Sequence, residues 1–241
     1  MSLRDTIATP AGKAPHVRRL FATIADRYDL ITVLLSYGRD AHWKRHMVAL
    51  AGPVAGRAAL DLACGTGDIT FLLADRHARV IGLDLTPRMI ELARAKGRTR
   101  QFRIAPTFIV GDMCALPFGA ASFDLVTTGY GLRNVPDLPG ALSEIRRVLR
   151  PAGVLLSLDF NRPASAPVRL AYHAYLTAVG ATLGLALHRD PNTYRYIPES
   201  IRTYPGADGV VRLLEQAGFV SSRWQRVLGG LMAIHEARAP C

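Results

Sequence analysis

The chain has 241 residues, of which 49% are hydrophobic and 20% are charged. This composition suits one packed α/β domain and excludes both a disordered chain and two full-sized domains. The formal charge of +11 comes mainly from arginine, because Lys13, Lys44 and Lys96 are the only lysines. The arginines form no block of five or more, so the charge favours neither a nucleic acid nor a membrane as partner.

Three cysteines, Cys64, Cys114 and Cys241, are odd in number and lack the spacing of metal ligands. We therefore predict neither a disulfide framework nor a metal site, which fits a reducing cytoplasm. The N-terminus has no basic segment followed by an apolar run, so no secretory signal is predicted.

The first 52 residues are predicted to form a leader and a helical cap. Residues 1–15 mix Thr, Pro, Gly and Lys without periodicity, which is typical of a loose leader. Apolar residues then recur at helical spacing from Val17 to Leu34. A second helix is predicted over residues 39–51, before a Gly-Pro pair ends it.

Strand and helix patterns alternate from residue 53 to residue 160, as in a parallel sheet with crossover helices. We expect this stretch to be the cofactor-binding core. The predicted helices cover residues 68–76, 87–95 and 138–149. The predicted strands cover residues 58–62, 79–84, 107–110, 123–128 and 154–160.

Residues 161–205 break this alternation and are predicted to form a lid and a substrate-binding segment. The nearly uncharged stretch 167–187 approaches the length of a membrane span, but it contains His173, tyrosines, threonines and glycines. We therefore predict a lid helix, buried or partly facing lipid, rather than a span. An aromatic, polar loop is predicted over residues 194–201.

Residues 206–241 are predicted to close the domain with a helix over 208–217 and an antiparallel hairpin over 220–227 and 230–237. The predicted fold class is therefore α/β. It is a Rossmann-like, seven-stranded, mostly parallel sheet with a C-terminal antiparallel hairpin, plus N-terminal and lid helices.

The stretch Leu60–Asp68 reads Leu-Asp-Leu-Ala-Cys-Gly-Thr-Gly-Asp and predicts a strand, a glycine turn and a helix N-terminus. Such a turn presents backbone N–H groups to a ligand. Thr70 stands where the dinucleotide fingerprint has its third glycine, which disfavours a nicotinamide dinucleotide. Asp84 lies about twenty residues after Gly65, where such folds place an acid on the ribose. We expect a nucleoside ligand without a pyrophosphate.

The glycine turn, the acid after the second strand, Gly111-Asp112 before Ala115–Phe118, and the terminal hairpin resemble class I S-adenosylmethionine methyltransferases. Residues 21–29, 131–135 and 194–205 narrow this resemblance to the quinone C-methyltransferases of menaquinone and ubiquinone biosynthesis. Each segment alone is a weak signal, but their order and spacing are specific. The similarity runs from about Val17 to Ala237.

The resemblance implies S-adenosylmethionine as the cofactor. The residues implied for it are Gly65, Thr66 and Gly67 at the methionine part, Asp84 at the ribose, Asp112 and Met113 at the adenine, and Gly129 at the end of the fourth strand. Two positions depart from the commoner family pattern, which has Asn-Ala at residues 112–113 and serine at residue 129. An aspartate still accepts a hydrogen bond from the adenine amine, whereas a glycine offers only its backbone.

The resemblance also implies methyl transfer to a ring carbon of a polyprenylated quinol, either demethylmenaquinol or a demethylated benzoquinol. The sulfonium methyl group is already activated, so the enzyme must align it with a carbon made electron-rich by loss of a hydroxyl proton. Arg133 would stabilise the phenolate, because a guanidinium keeps its proton. Asn134 would hold the second ring oxygen or a water. Tyr28 and His173, the latter often an acid in relatives, are the candidates for the base, which stays unassigned.

Structural interpretations of these residues stay open as well. Arg133 and Asn134 would then cap the turn after the fourth strand, and His173 would be a core histidine. Asp61 is expected to brace the glycine turn through backbone N–H groups.

Two other functions stay open: methylation of another small aromatic or secondary metabolite, and a non-catalytic, cofactor-binding subunit of a quinone-synthesis assembly. No nucleic acid is expected, because Gly129–Leu132 replaces the Asp/Asn-Pro-Pro-aromatic turn of base methyltransferases. We expect a cytoplasmic protein in peripheral contact with the inner face of the membrane, and a homo-oligomer is left open.

Overall fold

The structure is a computed structural model that describes residues 3–241. It contains one seven-stranded sheet, with the strands β1 Ala58–Leu62, β2 Arg79–Asp84, β3 Thr107–Val110, β4 Phe123–Gly129, β5 Leu149–Phe160, β6 Val220–Val227 and β7 Met232–Arg238. Their spatial order is β3-β2-β1-β4-β5-β7-β6. Only β7 runs antiparallel to its neighbours, β5 and β6. The predicted fold class is confirmed.

Helices cover both faces of the sheet and its carboxyl end. In the described part of the chain they are α1 Leu3–Ile7, α2 Pro10–Ile24, α3 Tyr28–Leu35, α4 Asp40–Leu50, α5 Asp68–Asp75, α6 Pro87–Arg98, α7 Leu138–Val148, α8 Ala166–His188, α9 Tyr196–Thr203 and α10 Gly206–Gln216. Short 3-10 turns cover Ala25–Arg27, Leu132–Asn134 and Leu228–Gly230.

The central strands are apolar along their length because both faces of the sheet are covered. On one face Leu60 and Val126 pack with Leu142 of α7 and Val210 of α10. On the other face Ala59, Leu125 and Leu156 pack with Met47 of α4 and Leu73 of α5. A parallel strand buried on two faces reads as a continuous apolar run, which explains the confirmed limits of β1 and β2. The limits of β3, an edge strand with both ends exposed, are also confirmed.

A helical cap of α1–α3, α8 and α9 lies over the carboxyl end of the sheet. Three small clusters of buried side chains hold it together, rather than one continuous core. They comprise Ile7, Val17 and Tyr196; Ile24, Ile31 and Tyr194; and Tyr172, Leu176 and Ile201.

The structure corrects two predictions in this cap. The predicted loose leader is helical from residue 3, apart from a break before α2, which begins at Pro10 with Thr9 Oγ1 accepting a hydrogen bond from Gly12 N (3.3 Å). Ile7 is buried, and Arg4 donates to both carboxylate oxygens of Glu199 at 2.9 and 3.0 Å. These contacts with α9 order the segment, although its own composition does not.

The predicted aromatic loop over residues 194–201 forms helix α9 from Tyr196 onward. Tyr194 and Tyr196 are almost fully buried. Their burial against α2 and α3 stabilises a helix that the local sequence, with a proline at 198, does not indicate.

Two strands also differ from the prediction: β5, beside the hairpin, and β7, within it. β5 begins at Leu149, because Leu149 already pairs with Phe123 before a register shift in β4. β7 begins at Met232 instead of residue 230, because Gly229 and Gly230 have φ angles of +64° and +95° in the connecting turn.

Helix α8 is the one helix among the described residues that is long and apolar enough to cross a membrane. An 18-residue window of this helix has a mean hydropathy of 1.3, and 22% of that window is buried inside the protein. The helix packs on α9 through Tyr172 and Leu176, so one of its faces belongs to the cap.

Candidate active site

The glycine turn lies between β1 and α5, at the carboxyl end of the sheet. Gly65 and Gly67 have φ angles of +54° and +93°, which favour glycine. A Cβ on Gly67 would also lie 2.9 Å from the Phe71 ring. β1 and β2 are neighbours, so Asp84 at the end of β2 meets this turn: Asp84 Oδ2 accepts a hydrogen bond from Gly65 N (2.9 Å) and Oδ1 accepts one from Thr86 N (2.8 Å).

Thr70, at the position of the missing third glycine, has a structural role. Its hydroxyl donates to Asp61 Oδ2 (2.6 Å), and Thr127 of β4 donates to Asp61 Oδ1 (2.9 Å). Asp61 is thus held mainly by side-chain hydroxyls rather than by the turn's backbone N–H groups, which corrects that expectation. Gly82 of β2 makes room for this contact, since a Cβ there would lie 2.9 Å from Thr70 Oγ1.

Five of the predicted cofactor residues line one cavity at the ends of β1, β2 and β4, which we call the sheet-end cavity. They are Gly65, Asp84, Asp112, Met113 and Gly129. Thr66 does not line this cavity. Its hydroxyl donates to Asp29 Oδ1 (2.5 Å) and accepts from Lys96 Nζ (3.0 Å), so it points toward α3 and α6. Gly67 is the residue that precedes α5 and packs on Phe71.

Helix α2 forms one wall of the sheet-end cavity with Ala14, Val17, Arg18 and Phe21. The enclosed volume is about 90 Å³. A cavity that holds a drug-sized ligand has about 300–1,000 Å³. The sheet-end cavity is therefore smaller than a nucleoside ligand requires, and side chains around it must rearrange when such a ligand binds.

A second, larger cavity lies between the sheet and the helical cap, and we call it the cap cavity. Its volume is about 460 Å³, and its walls are mostly apolar side chains from α2, α3, α8 and α9. Four residues line both this cavity and the sheet-end cavity, so the two adjoin at one place. These shared residues are Phe21, Tyr28, Tyr130 and Asn134.

Arg133 lines the cap cavity and is almost fully buried, with 4% of its surface exposed. Its backbone N and side-chain Nε contact the two carboxylate oxygens of Asp159 at 3.0 and 3.4 Å, and Nη1 donates to the Ser200 hydroxyl. Burial raises the pKa of Asp159, and the Arg133 charge opposes that rise. The pair fixes the guanidinium in the cavity wall, above the Phe160 ring (5.0 Å).

Asn134 lies where the two cavities meet, and one of its amide atoms is free. Its Nδ2 donates to the Tyr130 carbonyl (2.6 Å). Its Oδ1 is buried and has no hydrogen-bond partner among the described residues. A buried acceptor without a partner is unfavourable, so this atom is a candidate to accept a hydrogen bond from a bound ligand.

The two candidates for the base are placed differently. Tyr28 lines both cavities, and burial raises the pKa of its hydroxyl to about 12, which keeps it protonated at neutral pH. His173 lines neither cavity. It lines a third cavity, bordered by Arg162, Arg169 and Arg202, which we call the basic cavity. The structure therefore does not bring His173 to the other candidate site residues.

Tyr130 and its partners are candidate site residues that the sequence reasoning missed. Tyr130 lines both cavities and has a φ angle of +61°, which is strained for an aromatic residue. Its hydroxyl donates to Asp40 Oδ1 (2.6 Å), and Lys44 bridges Asp40 (2.6 Å) and Asp68 (2.9 Å). This chain connects Tyr130 to α4 and to the first turn of α5. A tyrosine between two glycines after β4 was the available signal.

Comparison with known proteins identifies the chain's family. The ubiE/COQ5 methyltransferase family matches residues 10–239. The demethylmenaquinone methyltransferase of Thermus thermophilus is 39% identical over 223 residues, which cover 92% of this chain and 100% of that protein. The ubiquinone/menaquinone biosynthesis C-methyltransferase UbiE of Escherichia coli is 35% identical, over 92% of this chain and 90% of that protein. The chain belongs to the ubiE/COQ5 methyltransferase family.

Solved structures of lower sequence identity share the fold. A SAM-dependent methyltransferase from Thermotoga maritima has a TM-score of 0.66 at 18% identity, over 93% of this chain and all of that chain. Phosphoethanolamine N-methyltransferase 2 of Haemonchus contortus, in complex with S-adenosylmethionine, has a TM-score of 0.63 at 15% identity, over 83% of this chain and 53% of that chain. Family membership makes this protein an S-adenosylmethionine-dependent C-methyltransferase.

The residues of the sheet-end cavity fit this cofactor. The Asp84 carboxylate accepts two backbone hydrogen bonds and one from the Thr86 hydroxyl, and with about four acceptor positions it retains one for a ribose hydroxyl. Asp112 Oδ1 accepts from Cys114 N (2.8 Å), which holds the carboxylate at the cavity wall. A Cβ on Gly129 would lie 2.7 Å from Ile69 Cδ1, so the serine of the commoner family pattern would need Ile69 to move.

Proposed function

We propose that this methyltransferase transfers a methyl group from S-adenosylmethionine to a ring carbon of a reduced, polyprenylated quinol, either demethylmenaquinol or a demethylated benzoquinol. The single observation that carries the proposal is that the sheet-end cavity and the apolar cap cavity adjoin at Phe21, Tyr28, Tyr130 and Asn134. Relatives across nearly the whole chain bear the names of quinone-biosynthesis methyltransferases, which supports the same substrate class.

The proposed cofactor residues are Gly65, Asp84, Asp112, Met113 and Gly129 in the sheet-end cavity. Asp84 would bind the ribose hydroxyls, and Asp112 would accept from the adenine amine. Thr66 and Gly67 would act indirectly: Thr66 ties the turn to Asp29 and Lys96, and Gly67 allows the turn. The bound cofactor supplies an activated methyl group on a sulfonium centre.

The protein's own task is to hold the quinol ring and its negative charge. Arg133 presents a permanently charged guanidinium in a mostly apolar wall, where it would stabilise the phenolate. Asn134 would bind a ring hydroxyl through its unpaired Oδ1. Tyr28, with its raised pKa, would act as a hydrogen-bond donor at the junction and not as the base in its ionised form. The base stays unassigned.

The cap cavity also suits a prenyl tail, because apolar contacts need no fixed geometry. The experiment that tests the substrate measures transfer of labelled methyl to reduced demethylmenaquinol, to a demethylated benzoquinol, and to a panel of soluble phenols. We expect both prenylated quinols to exceed the phenols in kcat/KM. Phenols that react faster would contradict the proposal and favour another small aromatic metabolite as the substrate.

A substitution on α8 sharpens this test. Ala171 lines the cap cavity and Ala174 does not, although both are exposed on the same helix. We expect Ala171→Trp to raise the KM for a prenylated quinol more than for the same ring without a tail. The control Ala174→Trp is expected to leave both KM values near those of the wild type.

We also propose that this protein is cytoplasmic and contacts the inner face of the membrane with the cap. Nine large hydrophobic side chains are exposed in the described part of the chain. Seven of them lie on α3, directly after it, or on α8, beside the cap cavity. These seven are Leu30, Val33, Leu34, Tyr37, Val168, Leu170 and Leu185.

Vesicle flotation tests this contact with phosphatidylcholine vesicles. We expect Val33→Gln/Leu185→Gln to lower the vesicle partition coefficient about tenfold, because each side chain loses apolar burial in lipid. Val110→Gln/Val220→Gln changes the other two exposed hydrophobic residues, on β3 and β6, and is expected to have no effect. Equal losses in both variants would contradict a contact made by the cap.

A further inference from the structure

The basic cavity lies on the other flank of α8 from the cap cavity and has a volume of about 380 Å³. α8 is the wall between the two cavities, because Tyr172 and Leu176 line both. The cap cavity and the basic cavity are therefore neighbours within the helical cap.

The charge of the basic cavity is positive and not neutralised from within. Arg162, Arg169 and Arg202 line it, and no Asp or Glu does so in the part of the chain that the structure describes. Glu199 approaches His173 Nε2 to 3.9 Å and its charge also interacts with that of Arg202, but it does not line the cavity and both of its oxygens are bound by Arg4. Three guanidinium groups around one cavity, with no carboxylate among them, favour an anion.

Two further groups at the basic cavity favour an anion. Arg169 Nη1 donates to the carbonyl groups of Pro163 (3.0 Å) and Ala164 (2.8 Å), which places the guanidinium at the first turn of α8. Ala166, the first residue of this 23-residue helix, lines the cavity, and the N-cap residue Ser165 makes no side-chain capping bond. The positive end of the helix dipole thus adds to the arginine charges.

The rest of the cavity is apolar. Tyr172, Leu176, Pro198 and Ile201 line it, and Leu170 lines its edge with 74% of its surface exposed. From Leu170 to Ala186 the exposed positions of α8 are occupied only by Leu, Ala and Thr. A ligand that matches this surface has an anionic group joined to an apolar part, which is the chemistry of a lipid with a phosphate headgroup.

We infer that the basic cavity binds the phosphate of an anionic phospholipid, with Leu170 in contact with the lipid's apolar part. The inference rests on the membrane contact proposed above and adds a binding site to it. Binding at this site would place α8, which also forms part of the wall of the cap cavity, against the bilayer, where a prenylated substrate resides.

The test is flotation of the full-length protein with phosphatidylcholine vesicles, with and without phosphatidylglycerol. The cavity variant is Arg162→Gln/Arg169→Gln/Arg202→Gln. A second variant, Arg162→Gln/Arg202→Gln, keeps the contacts of Arg169 with the backbone and guards against misfolding. The matched control, Arg98→Gln/Arg103→Gln/Arg226→Gln, removes the same charge from exposed arginines that do not line the cavity.

For the wild type we expect phosphatidylglycerol to raise the vesicle partition coefficient. On vesicles with phosphatidylglycerol, the partition coefficient of the cavity triple variant should be about 100-fold lower than that of the wild type. The reason is that each basic residue near an anionic surface contributes about a factor of five. The partition coefficient of the double variant should be about 25-fold lower than that of the wild type, and that of the control variant should fall much less. Binding to phosphatidylcholine alone and turnover of a tail-less quinol should stay unchanged in the cavity variants.

Three results would overturn the inference. Equal losses in the cavity and control variants would show general charge attraction without a site. If the wild type binds phosphatidylcholine and phosphatidylglycerol adds nothing, the protein does not recognise an anionic headgroup, although the proposed membrane contact would still hold. Calorimetric binding of inorganic phosphate to the wild type, lost in the cavity variants and without any vesicle increase, would assign the cavity to a free phosphate. Failure of methyl transfer to prenylated quinols would instead refute the proposed substrate.

Discussion

The sheet-end cavity and the cap cavity adjoin, yet they are built in different ways. The sheet-end cavity is formed at the ends of β1, β2 and β4, and hydrogen bonds of 2.8–2.9 Å hold its key carboxylate, Asp84. The cap cavity is formed by side chains of four helices that pack through small separate clusters. One region fixes polar atoms in space, whereas the other encloses apolar volume.

This difference teaches how one chain serves two kinds of ligand. Hydrogen bonds are directional, so strand ends and a strained turn suit a cofactor of constant structure. Apolar contact is non-directional, so a cavity between helices suits a hydrophobic substrate. Point changes on the sheet side should therefore act on cofactor affinity or stability, and changes on the cap side should act on substrate binding or turnover.

The largest effect is expected at Asp84. Asp84→Ala removes the proposed ribose acceptor and leaves Gly65 N and Thr86 N without their partner. We expect the Kd for S-adenosylmethionine to rise about 100- to 1,000-fold, since hydrogen bonds to a charged group contribute about 1.5–3 kcal/mol each. Calorimetry measures this change. Asp75→Ala, on the surface of α5, is the control and should bind normally; an equal affinity in both variants would refute the assignment of Asp84.

A second test concerns the free energy of unfolding and the buried carboxylate of Asp61. Burial raises the pKa of Asp61 from 3.8 to about 7, against the opposing hydrogen bonds from Thr70 and Thr127. The folded chain thus keeps a proton between pH 4 and 7 that the unfolded chain loses. The free energy of unfolding should therefore fall as the pH rises through this range, on the order of 3 kcal/mol from this group.

Asp61→Asn removes this ionisation with little change in volume, so the fall between pH 4 and 7 should become smaller. Urea unfolding at a series of pH values measures it. The opposite sign is expected for Asp124, because the Arg150 contact and other hydrogen bonds outweigh burial and hold its pKa below the usual range. The contribution of Asp124 to the free energy of unfolding therefore grows as the pH rises, and Asp124→Asn should remove that contribution. Identical pH profiles for the wild type and Asp61→Asn would contradict the prediction.

The third test moves to the cap side. Arg133→Lys keeps the charge but loses the planar fork that contacts Asp159 and Ser200. We expect kcat to fall about 10- to 100-fold while the Kd for S-adenosylmethionine changes little. The control Arg147→Lys weakens a comparable fork, with Glu144 and the carbonyl of Phe118, at a residue that lines neither cavity. If kcat, cofactor affinity and Tm all fall together in Arg133→Lys, Arg133 has a structural role only.

The contrast between the two regions also explains what the sequence could predict. The limits of β1, β2 and β3, the glycine turn and the position of Asp84 depend on local patterns and on the rule that parallel strands end at one edge. The helical cap depends on distant contacts. Arg4 binds Glu199 and Tyr130 binds Asp40, and these pairs are 195 and 90 residues apart in the chain.

The placement of His173 shows a limit of a different kind. Consecutive residues on a helix point about 100° apart, so Tyr172 faces the cap cavity while the next residue faces only the basic cavity. The sequence of α8 predicts a helix, but it has no marked polar face. The side of the helix that faces the cap cavity therefore cannot be predicted from the sequence. The sequence could thus identify the lid helix and not which of its side chains reaches the substrate.

The smallest effect is expected at the junction of the two regions. Tyr130→Phe keeps the ring in the wall of both cavities and removes only the hydrogen bond to Asp40, which stays paired with Lys44. We expect a loss of about 1 kcal/mol in the free energy of unfolding and a fall in kcat of less than tenfold. Steady-state kinetics with thermal unfolding measures both.

Tyr204→Phe is the matched control for this change, because the Tyr204 hydroxyl is buried without a partner among the described residues and lines neither cavity. Removing an unpaired buried hydroxyl should leave stability unchanged or raise it. A decrease in kcat for Tyr130→Phe that exceeds its change in stability would mean that Asp40 and Lys44 position Tyr130 for the reaction. If the two variants have the same kcat and the same stability, the Tyr130 hydroxyl has no role at the junction, and only the ring and backbone of Tyr130 matter there.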